Sequence, residues 1–198
     1  MGGLRSIWRF LRRPSAATPM GILLGVGAVV GFIAFGLLQW GMARTNALPF
    51  CVSCHSMTFP YAEYKQSPHY RNPSGARAEC SDCHVPHDKD FDGWVDKLTA
   101  KVLAAKDVYH EILGSIDSRE KFEAKRWVMA NRVWDKMKRR DSAECRHCHA
   151  WDAMLFAEQD RLASRRHRRA MEEGETCIDC HKGIAHEEPE EPEEPEKP

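Results

Sequence analysis

The sequence predicts a mainly α-helical chain, with a single N-terminal transmembrane helix followed by a soluble region of short helices and long loops. Three observations support this fold class. Residues 20–40 form a run of 21 residues without a charge. The pattern Cys-x-x-Cys-His occurs four times and uses all eight cysteines of the 198-residue chain. Phe, Leu, Ile and Val are sparse between residues 51 and 186, so an ordinary aliphatic core is not expected there.

The uncharged run has the length of a membrane-spanning helix. As a helix, residues 20–40 span about 31 Å, which matches a hydrocarbon core of about 30 Å. A cleaved signal peptide is the alternative, because basic residues precede the run. However, the run is longer than the usual apolar region of about 7–15 residues, and it does not end in an Ala-x-Ala cleavage site. A transmembrane helix over residues 20–40 is therefore predicted.

Charge asymmetry predicts the orientation of the chain. The formal net charge is zero, and no nucleic-acid-binding patch is evident. Residues 1–19 carry four arginines and no acidic residue, so the positive-inside rule makes this N-terminus cytoplasmic. Residues 45–186 then lie in the periplasm, with the chain anchored once in the bacterial inner membrane. The four arginines are Arg5, Arg9, Arg12 and Arg13.

The repeated cysteine pattern is typical of covalent c-type haem attachment. The two thiols form thioethers with the haem vinyl groups, and the adjoining histidine can reach the iron. Zinc is the alternative, since four pairs of cysteines could build two sites of four thiolates each. Such sites have no use for the histidine that ends all four motifs. Four covalent haems are therefore predicted, packed into a multihaem cytochrome c domain. The attachment residues are Cys51, Cys54, Cys80, Cys83, Cys145, Cys148, Cys177 and Cys180, and the motif histidines are His55, His84, His149 and His181.

The soluble region contains a repeat. His69 precedes Cys80 by eleven residues, and His167 precedes Cys177 by ten. A further histidine closes each half. This matched order predicts two dihaem units, at residues 45–93 and 141–186, with a helical connector at residues 94–140. The closing histidines are His87 and His186.

Haem irons with two histidine ligands need distal histidines from outside the motifs. Six other histidines are available, and the repeat selects His69, His87, His167 and His186. His110 falls on a predicted helix, and His147 lies inside its own motif. These two are therefore not expected to be ligands.

Two helices are predicted in the connector, followed later by a charged tail. Apolar residues recur at helical spacing over residues 94–113, with Gly114 as a stop, and again over residues 118–140. Asp117 or Ser118 is the expected N-cap of the second helix. Residues 187–198 are rich in Glu and Pro and are expected to be disordered.

These features together resemble a known family. The basic N-terminus, the single span, CVSCHSM, SPHYRNPSGARAECSDCHVPH, KLTAKVLAAKDVYHEILG and TCIDCHKGIAH are similar to the NapC/NirT family of membrane-anchored tetrahaem quinol dehydrogenases, which is related to the NrfH subunit of nitrite reductase complexes. The likeness runs from residue 5 to residue 186. It implies oxidation of membrane quinol, menaquinol or ubiquinol, at the haem nearest the bilayer. The electrons would pass to a periplasmic reductase in nitrate- or nitrite-type respiration.

The resemblance also implies a special first haem. In the NrfH type, the methionine of Cys-x-x-Cys-His-x-Met binds the iron in place of the motif histidine, which here makes Met57 or His55 the ligand. A carboxylate from the following helix lies on the far face of that haem, and Asp107 matches it best. Quinol oxidation releases two protons with two electrons, so a base and a cation are needed near the ring. Asp107 could accept a proton, and Lys97 or Lys101 could stabilise quinolate charge. A solvated face of an amphipathic helix is the alternative for these three residues.

Other functions stay open at this point. A passive membrane-anchored electron conduit would use the same motifs, as would reverse flow from hydroxylamine oxidation into the quinone pool. A terminal nitrite or hydroxylamine reductase is not expected, because such enzymes need an open haem and all four motifs here end in histidine. The expected partners are the quinol pool and a periplasmic reductase or soluble cytochrome. Glycines at 21, 25, 27 and 31 are also compatible with helix packing against a second copy.

Overall fold

The structure, a computed structural model, describes residue 6 and residues 18–87 and 90–192. The chain divides into two compact units, Met1–Thr45 and Asn46–Pro198. The described residues contain helices, turns and irregular segments and no strand, which confirms the mainly α-helical prediction. The arginines from which the orientation was predicted lie outside the described residues.

The first unit contains helix α1, Met20–Asn46. Its apolar side chains from Met20 to Trp40 are exposed, Met42 is buried, and its length and composition suit a membrane crossing. The helix includes the whole predicted span of 20–40 and continues for another six residues. Near its C-terminal end, the Thr45 hydroxyl donates to the Gly41 carbonyl at 3.0 Å, which satisfies a carbonyl in the last turns.

Two long helices form most of the connector in the second unit. Helix α5 spans Phe91–Ile112, and helix α6 spans Arg119–Arg139. Asp90 caps α5 by accepting a hydrogen bond from the Gly93 N–H at 2.8 Å, so the helix starts three residues before the prediction. Ser118 caps α6 as predicted. Gly114, at φ 68°, occupies the left-handed conformation that ends α5 and allows the turn between the helices.

The haem motifs lie on or beside short helices. These are α2 (Leu48–Cys51), α4 (Cys80–His84), α7 (Ala143–Arg146) and α9 (Cys177–Cys180). Helix α3, Thr58–Tyr64, follows the first motif. Helix α8, Arg161–Glu173, precedes the fourth motif and was not predicted from the sequence.

Few apolar side chains of the second unit are buried. Among its described residues these are Tyr64, Phe122 and Ile178. The Phe59 ring packs edge-on against Phe122, with 5.5 Å between ring centroids. A core this thin agrees with the expectation that haem supplies much of the packing in this domain.

A buried ion pair joins α3 to α6. The guanidinium of Arg126 donates two hydrogen bonds to the Glu63 carboxylate, at 2.6 and 2.9 Å, and both side chains are only 11% exposed. The same carboxylate accepts the backbone N–H of Glu187 at 3.0 Å. The segment that contains His186 is therefore held against α3 and α6.

Candidate haem sites and the first motif

In each half of the soluble region, the first cysteine of one motif lies against the first cysteine of the next motif. In the first half, the thiols of Cys51 and Cys80 are hydrogen-bonded, and in the second half those of Cys145 and Cys177 are. All eight thiols are free of disulfides. In each half, the first cysteine of one motif therefore contacts the first cysteine of the next, as expected for a repeated dihaem unit.

The second motif of each half is built in the same way. Helices α4 and α9 both start at the first motif cysteine, and each begins with a capping box. In α4 the backbone N–H of Glu79 donates to Asp82 at 2.6 Å, and in α9 that of Thr176 donates to Asp179 at 2.9 Å. Both aspartates occupy the position before the second cysteine, so the pattern Cys-x-Asp-Cys-His carries its own helix cap. This sequence signal was available and was not used in the prediction.

Three motif histidines lie opposite a second imidazole ring. Ring centroids are 6.2 Å apart for His84 and His186, 6.2 Å for His69 and His149, and 5.9 Å for His167 and His181. Two metal–imidazole bonds of about 2 Å each, with ring radii of about 1.2 Å, would place the centroids about 6.4 Å apart. The spacing of all three pairs therefore fits two histidines on opposite faces of a haem iron.

Hydrogen bonds orient two of these rings. The Nδ1 atom of His167 lies 2.8 Å from Gln159 Oε1, and that of His186 lies 3.1 Å from the Pro60 carbonyl oxygen. A second partner at Nδ1 fixes the ring and leaves Nε2 as the metal-binding nitrogen. Burial also lowers the pKa of His186, which favours the neutral imidazole that binds metals.

His87 occupies a different kind of position. Its ring stacks on His147 with centroids 4.8 Å apart and planes at 16°, which is too close for an iron between them. Its Nε2 lies 3.2 Å from the Ser81 carbonyl oxygen. The structure thus brings His69, His167 and His186 to motif histidines but does not bring His87 to one.

The first motif has no second imidazole. Among the described residues, the ring closest to His55 is that of Phe59, edge-on at 5.7 Å. Met57 follows in the same short turn, His55–Met57, and is half-buried. The first motif therefore differs from the other three in its surroundings as well as in its sequence.

Helix α5 supplies the charged groups near the first motif. Lys101 lies close enough to Cys51 for its charge to act on the thiol. The hydrogen bond from Cys80, opposed by burial and aided by Lys101, lowers the pKa of Cys51 to about 6. Burial lowers the pKa of Lys101 itself. Lys97, half-buried, lies four residues earlier on the same helix face.

The carboxylate that contacts the first motif is Glu111. Its oxygens accept hydrogen bonds from Ser56 Oγ at 2.5 Å and from the Ser56 backbone N–H at 3.3 Å. Ser56 is 1% exposed and directly follows His55. Asp107 lies one turn before Glu111 and is exposed, without a described contact to the motif. Sequence reasoning selected Asp107 and missed Glu111, although Glu111 shares the helix face of Lys97 and Lys101.

Comparison with known proteins places these sites in context. A family model described as "NapC/NirT cytochrome c family, N-terminal region" matches residues 13–191. A putative tetraheme cytochrome-c type protein of Allochromatium vinosum is 49% identical over 85% of this chain and 89% of its own length. The cytochrome c-type protein NapC of Escherichia coli is 44% identical over 96% of this chain and 92% of its own length.

Of two further relatives, one has about the length of this chain and the other is about twice as long. The denitrification system component NirT of Stutzerimonas stutzeri is 45% identical over 96% of this chain and 90% of its own length. The cytochrome c-type protein TorC of Escherichia coli is 47% identical over 94% of this chain, which spans only 47% of TorC. No solved structure matches the chain.

Proposed function

Because this chain belongs to the NapC/NirT cytochrome c family, we propose that it oxidises membrane quinol beside its first haem motif and passes the electrons to a periplasmic redox protein. Membership makes it a c-type cytochrome and an electron-transport protein with covalently bound haem. The substrate, the site residues and the partner are the proposed part.

The haem-binding residues follow from the pairs of side chains described above. The eight cysteines hold four haems, and three irons take their ligands from the pairs His84 with His186, His149 with His69, and His181 with His167. When bound, the haems supply one-electron carriers whose potentials depend on these ligands. His87 is left out of this ligand set because its Nε2 faces a backbone carbonyl.

The first haem differs because no second histidine faces His55. Met57 or His55 is its protein ligand, and the half-buried thioether of Met57 lies two residues along the same turn. A haem with fewer strong ligands has one face accessible to a substrate. Quinol oxidation is therefore assigned to this motif.

The single observation that carries the quinol site is the contact of α5 with the first motif. Lys101 is near enough to Cys51 for its charge to act on the thiol, and Glu111 accepts hydrogen bonds from Ser56, so a cation and a carboxylate from one helix approach the same motif. A cation stabilises the quinolate oxygen, and a carboxylate accepts the proton that leaves with each electron. Glu111 is held at the motif, while Asp107, one turn away and exposed, is placed to pass the proton to solvent.

Chain topology supports access to quinol. Only four residues separate the end of α1, at Asn46, from Cys51. If α1 crosses the inner membrane with the N-terminus in the cytoplasm, the first haem motif follows directly after the membrane on the periplasmic side. The acceptor is then a periplasmic protein, and the likeness to NirT, a denitrification system component, favours a reductase of nitrogen-oxide respiration.

The test is stopped-flow reduction of the full-length, haem-loaded protein in detergent by a menaquinol analogue. Removal of one catalytic proton acceptor typically costs about 10²–10⁴ in rate, so we expect Glu111→Gln and Lys101→Met each to slow reduction by at least about tenfold. Asp107→Asn should slow it less, because Asp107 does not contact the motif. Dithionite reduction should be unchanged in all three.

A matched control lies on the same helix. Lys106→Met removes an exposed lysine five residues from Lys101, on the opposite side of α5, and should leave quinol reduction unchanged. Equal rates for Lys101→Met, Glu111→Gln and the control would contradict the assigned site. Absence of any quinol-dependent reduction in the unmodified protein would favour a passive electron conduit instead.

A further inference from the structure

Helix α8 presents an unusually basic outer face. Its thirteen residues include Arg161, Arg165, Arg166, Arg168 and Arg169, all exposed. Four of these line an open cleft of about 570 Å³, and its other lining residues are Phe156, Ala157, Gln159, Ser164 and one acidic residue, Glu172. We call this surface the arginine face and define it as Arg161, Arg165, Arg168 and Arg169.

The four arginines of the arginine face outnumber the two acidic residues beside them, Glu172 in the cleft lining and Glu173. Among the described residues, only Arg169 forms an ion pair, with Glu173 at 3.4 Å, and its guanidinium is still 61% exposed. Arg168 lies over the Phe156 ring at 4.8 Å, which fixes its position without neutralising it. Exposed guanidinium groups of this kind keep their capacity to bind carboxylates.

The cleft is connected to a proposed haem ligand by one side chain. Gln159 lines the cleft, and its Oε1 lies 2.8 Å from Nδ1 of His167. His167 is on α8 but outside the set of positions that line the cleft, and its ring faces that of His181 in the fourth motif. A protein docked on the arginine face would therefore lie beside the fourth haem.

We propose that the arginine face is the docking surface for the electron acceptor, a redox protein with an acidic surface around its own cofactor. This proposal rests on the proposed function, because it names the partner that takes the electrons. The face runs over nine helical positions, about 12 Å between its first and last residue, which is broader than a single small anion needs. Redox encounters are small and transient, and complementary charge mainly raises their rate of association.

The acidic tail of the chain is the obvious competing occupant, but its start is held elsewhere. The Glu187 N–H donates to Glu63, and the Glu187 carbonyl accepts from Arg126 at 3.4 Å. The beginning of the tail is therefore held by the Glu63–Arg126 pair and not by the arginine face. An external acidic partner fits the arginine face better.

The test is a binding titration with the full-length, haem-loaded protein in detergent, with the soluble domain of cytochrome b5 as an acidic probe. The double variant Arg161→Glu/Arg165→Glu reverses two charges of the arginine face that make no described contact within the protein. The control, Arg132→Glu/Arg139→Glu, makes the same change in net charge on the exposed side of α6. We expect the first pair to weaken binding by about tenfold at low ionic strength and the second by less than about twofold. The difference should shrink as salt is added.

Several outcomes would overturn the proposal. One is equal weakening of cytochrome b5 binding by both double variants. Another is that Arg161→Glu/Arg165→Glu weakens binding of mitochondrial cytochrome c as much as it weakens binding of cytochrome b5, because cytochrome c is a basic protein that should not use this face. Tighter binding of the probe after deletion of residues 189–198, seen only when the arginines are intact, would assign the face to the tail. Loss of probe binding in nanodiscs containing phosphatidylglycerol, again only with the arginines intact, would assign it to lipid headgroups.

Quinol-driven reduction of the haems, measured in the same samples, separates this proposal from the proposed function. Both double variants should be reduced by quinol at the unmodified rate, with unchanged haem absorption. If quinol fails to reduce even the unmodified protein while the probe still binds through the arginine face, the quinol assignment fails and the docking surface stands. If quinol reduction is normal and binding ignores the arginines, only the docking surface fails.

Discussion

At the scale of single residues, ten histidines that look alike in the sequence fall into distinct groups. Six form three pairs with the spacing of ligands on opposite faces of an iron. His87 and His147 stack on each other, whereas His55 and His110 lie edge-on to Phe59 and Tyr109 and not to another imidazole. The chemical difference lies in what each ring nitrogen contacts, because the residue type is the same throughout.

Substitution of His186 tests this grouping, with His87 as the matched control. In the haem-loaded protein, His186→Ala should remove one strong axial ligand and convert one low-spin haem to a high-spin species in the EPR spectrum. His87→Ala should leave the spectrum unchanged, since the His87 Nε2 lies against the Ser81 carbonyl. The reverse pattern would restore His87 as the ligand and contradict the proposed pairs.

The sequence allowed part of this site to be predicted. Spacing around the motifs selected four distal ligands by the same logic, and all four are predictions: His69, His87, His167 and His186. Only ring geometry separates them, because a histidine near a motif in sequence can face any iron once the chain has folded. Glu111 was missed for a related reason: a helix carries several carboxylates on adjoining faces, and the contact with Ser56 depends on how α5 packs.

At the scale of secondary-structure elements, the Glu63–Arg126 pair joins α3 to α6 and holds the segment of His186. Burial acts to raise the pKa of Glu63, but hydrogen bonds from Arg126 and from the Glu187 N–H outweigh it and lower the pKa. The lowered pKa means that ionised Glu63 stabilises the folded state above its ordinary value of 4.5, and that this stabilisation is lost as the pH falls through the lowered pKa.

Glu63→Gln should therefore destabilise the protein at neutral pH, because it leaves the largely buried Arg126 with the exposed Glu123 as its one remaining carboxylate partner among the described residues. We expect the free energy of unfolding to fall by about 2–4 kcal/mol, measured by denaturant titration at pH 7. Glu123→Gln, with a side chain 39% exposed, should cost less than about 1 kcal/mol. The Glu63 variant should also lose part of the acid sensitivity below pH 4.5. Equal costs for the two variants would contradict the central role of Glu63.

The sequence predicted the two long helices α5 and α6, but it did not predict the short, arginine-rich helix α8. Residues 94–113 and 118–140 carry apolar residues at helical spacing, and α5 and α6 form there. Helix α8 is short and carries five arginines, so its low overall hydrophobicity concealed a segregation of apolar and charged residues onto opposite sides. Its N-cap, Asp160, accepts hydrogen bonds from Leu162 and Ala163 and Gly174 ends it, so local caps were the available evidence.

At the scale of the whole molecule, the two halves of the soluble unit exchange their histidines. The hydrogen bonds between motif cysteines lie within each half, whereas His69 of the first half faces His149 of the second, and His186 of the second faces His84 of the first. The repeat in the sequence predicted two dihaem units, but it did not predict this exchange. If these pairs bind haem iron as proposed, two of the irons would each be held by both halves, which would connect the haems of one half to those of the other.

The measurement that tests the central claim most directly is a titration of the full-length, oxidised protein in nanodiscs with limiting menaquinol analogue, followed by the haem α-band. Each quinol supplies two electrons, so the absorbance should rise by the equivalent of two reduced haems per quinol consumed when the haem potentials allow complete transfer. Addition of an inhibitory quinone analogue should block the rise, and dithionite should then complete it. An α-band that stays unchanged with quinol and rises fully with dithionite would contradict quinol oxidation by this chain.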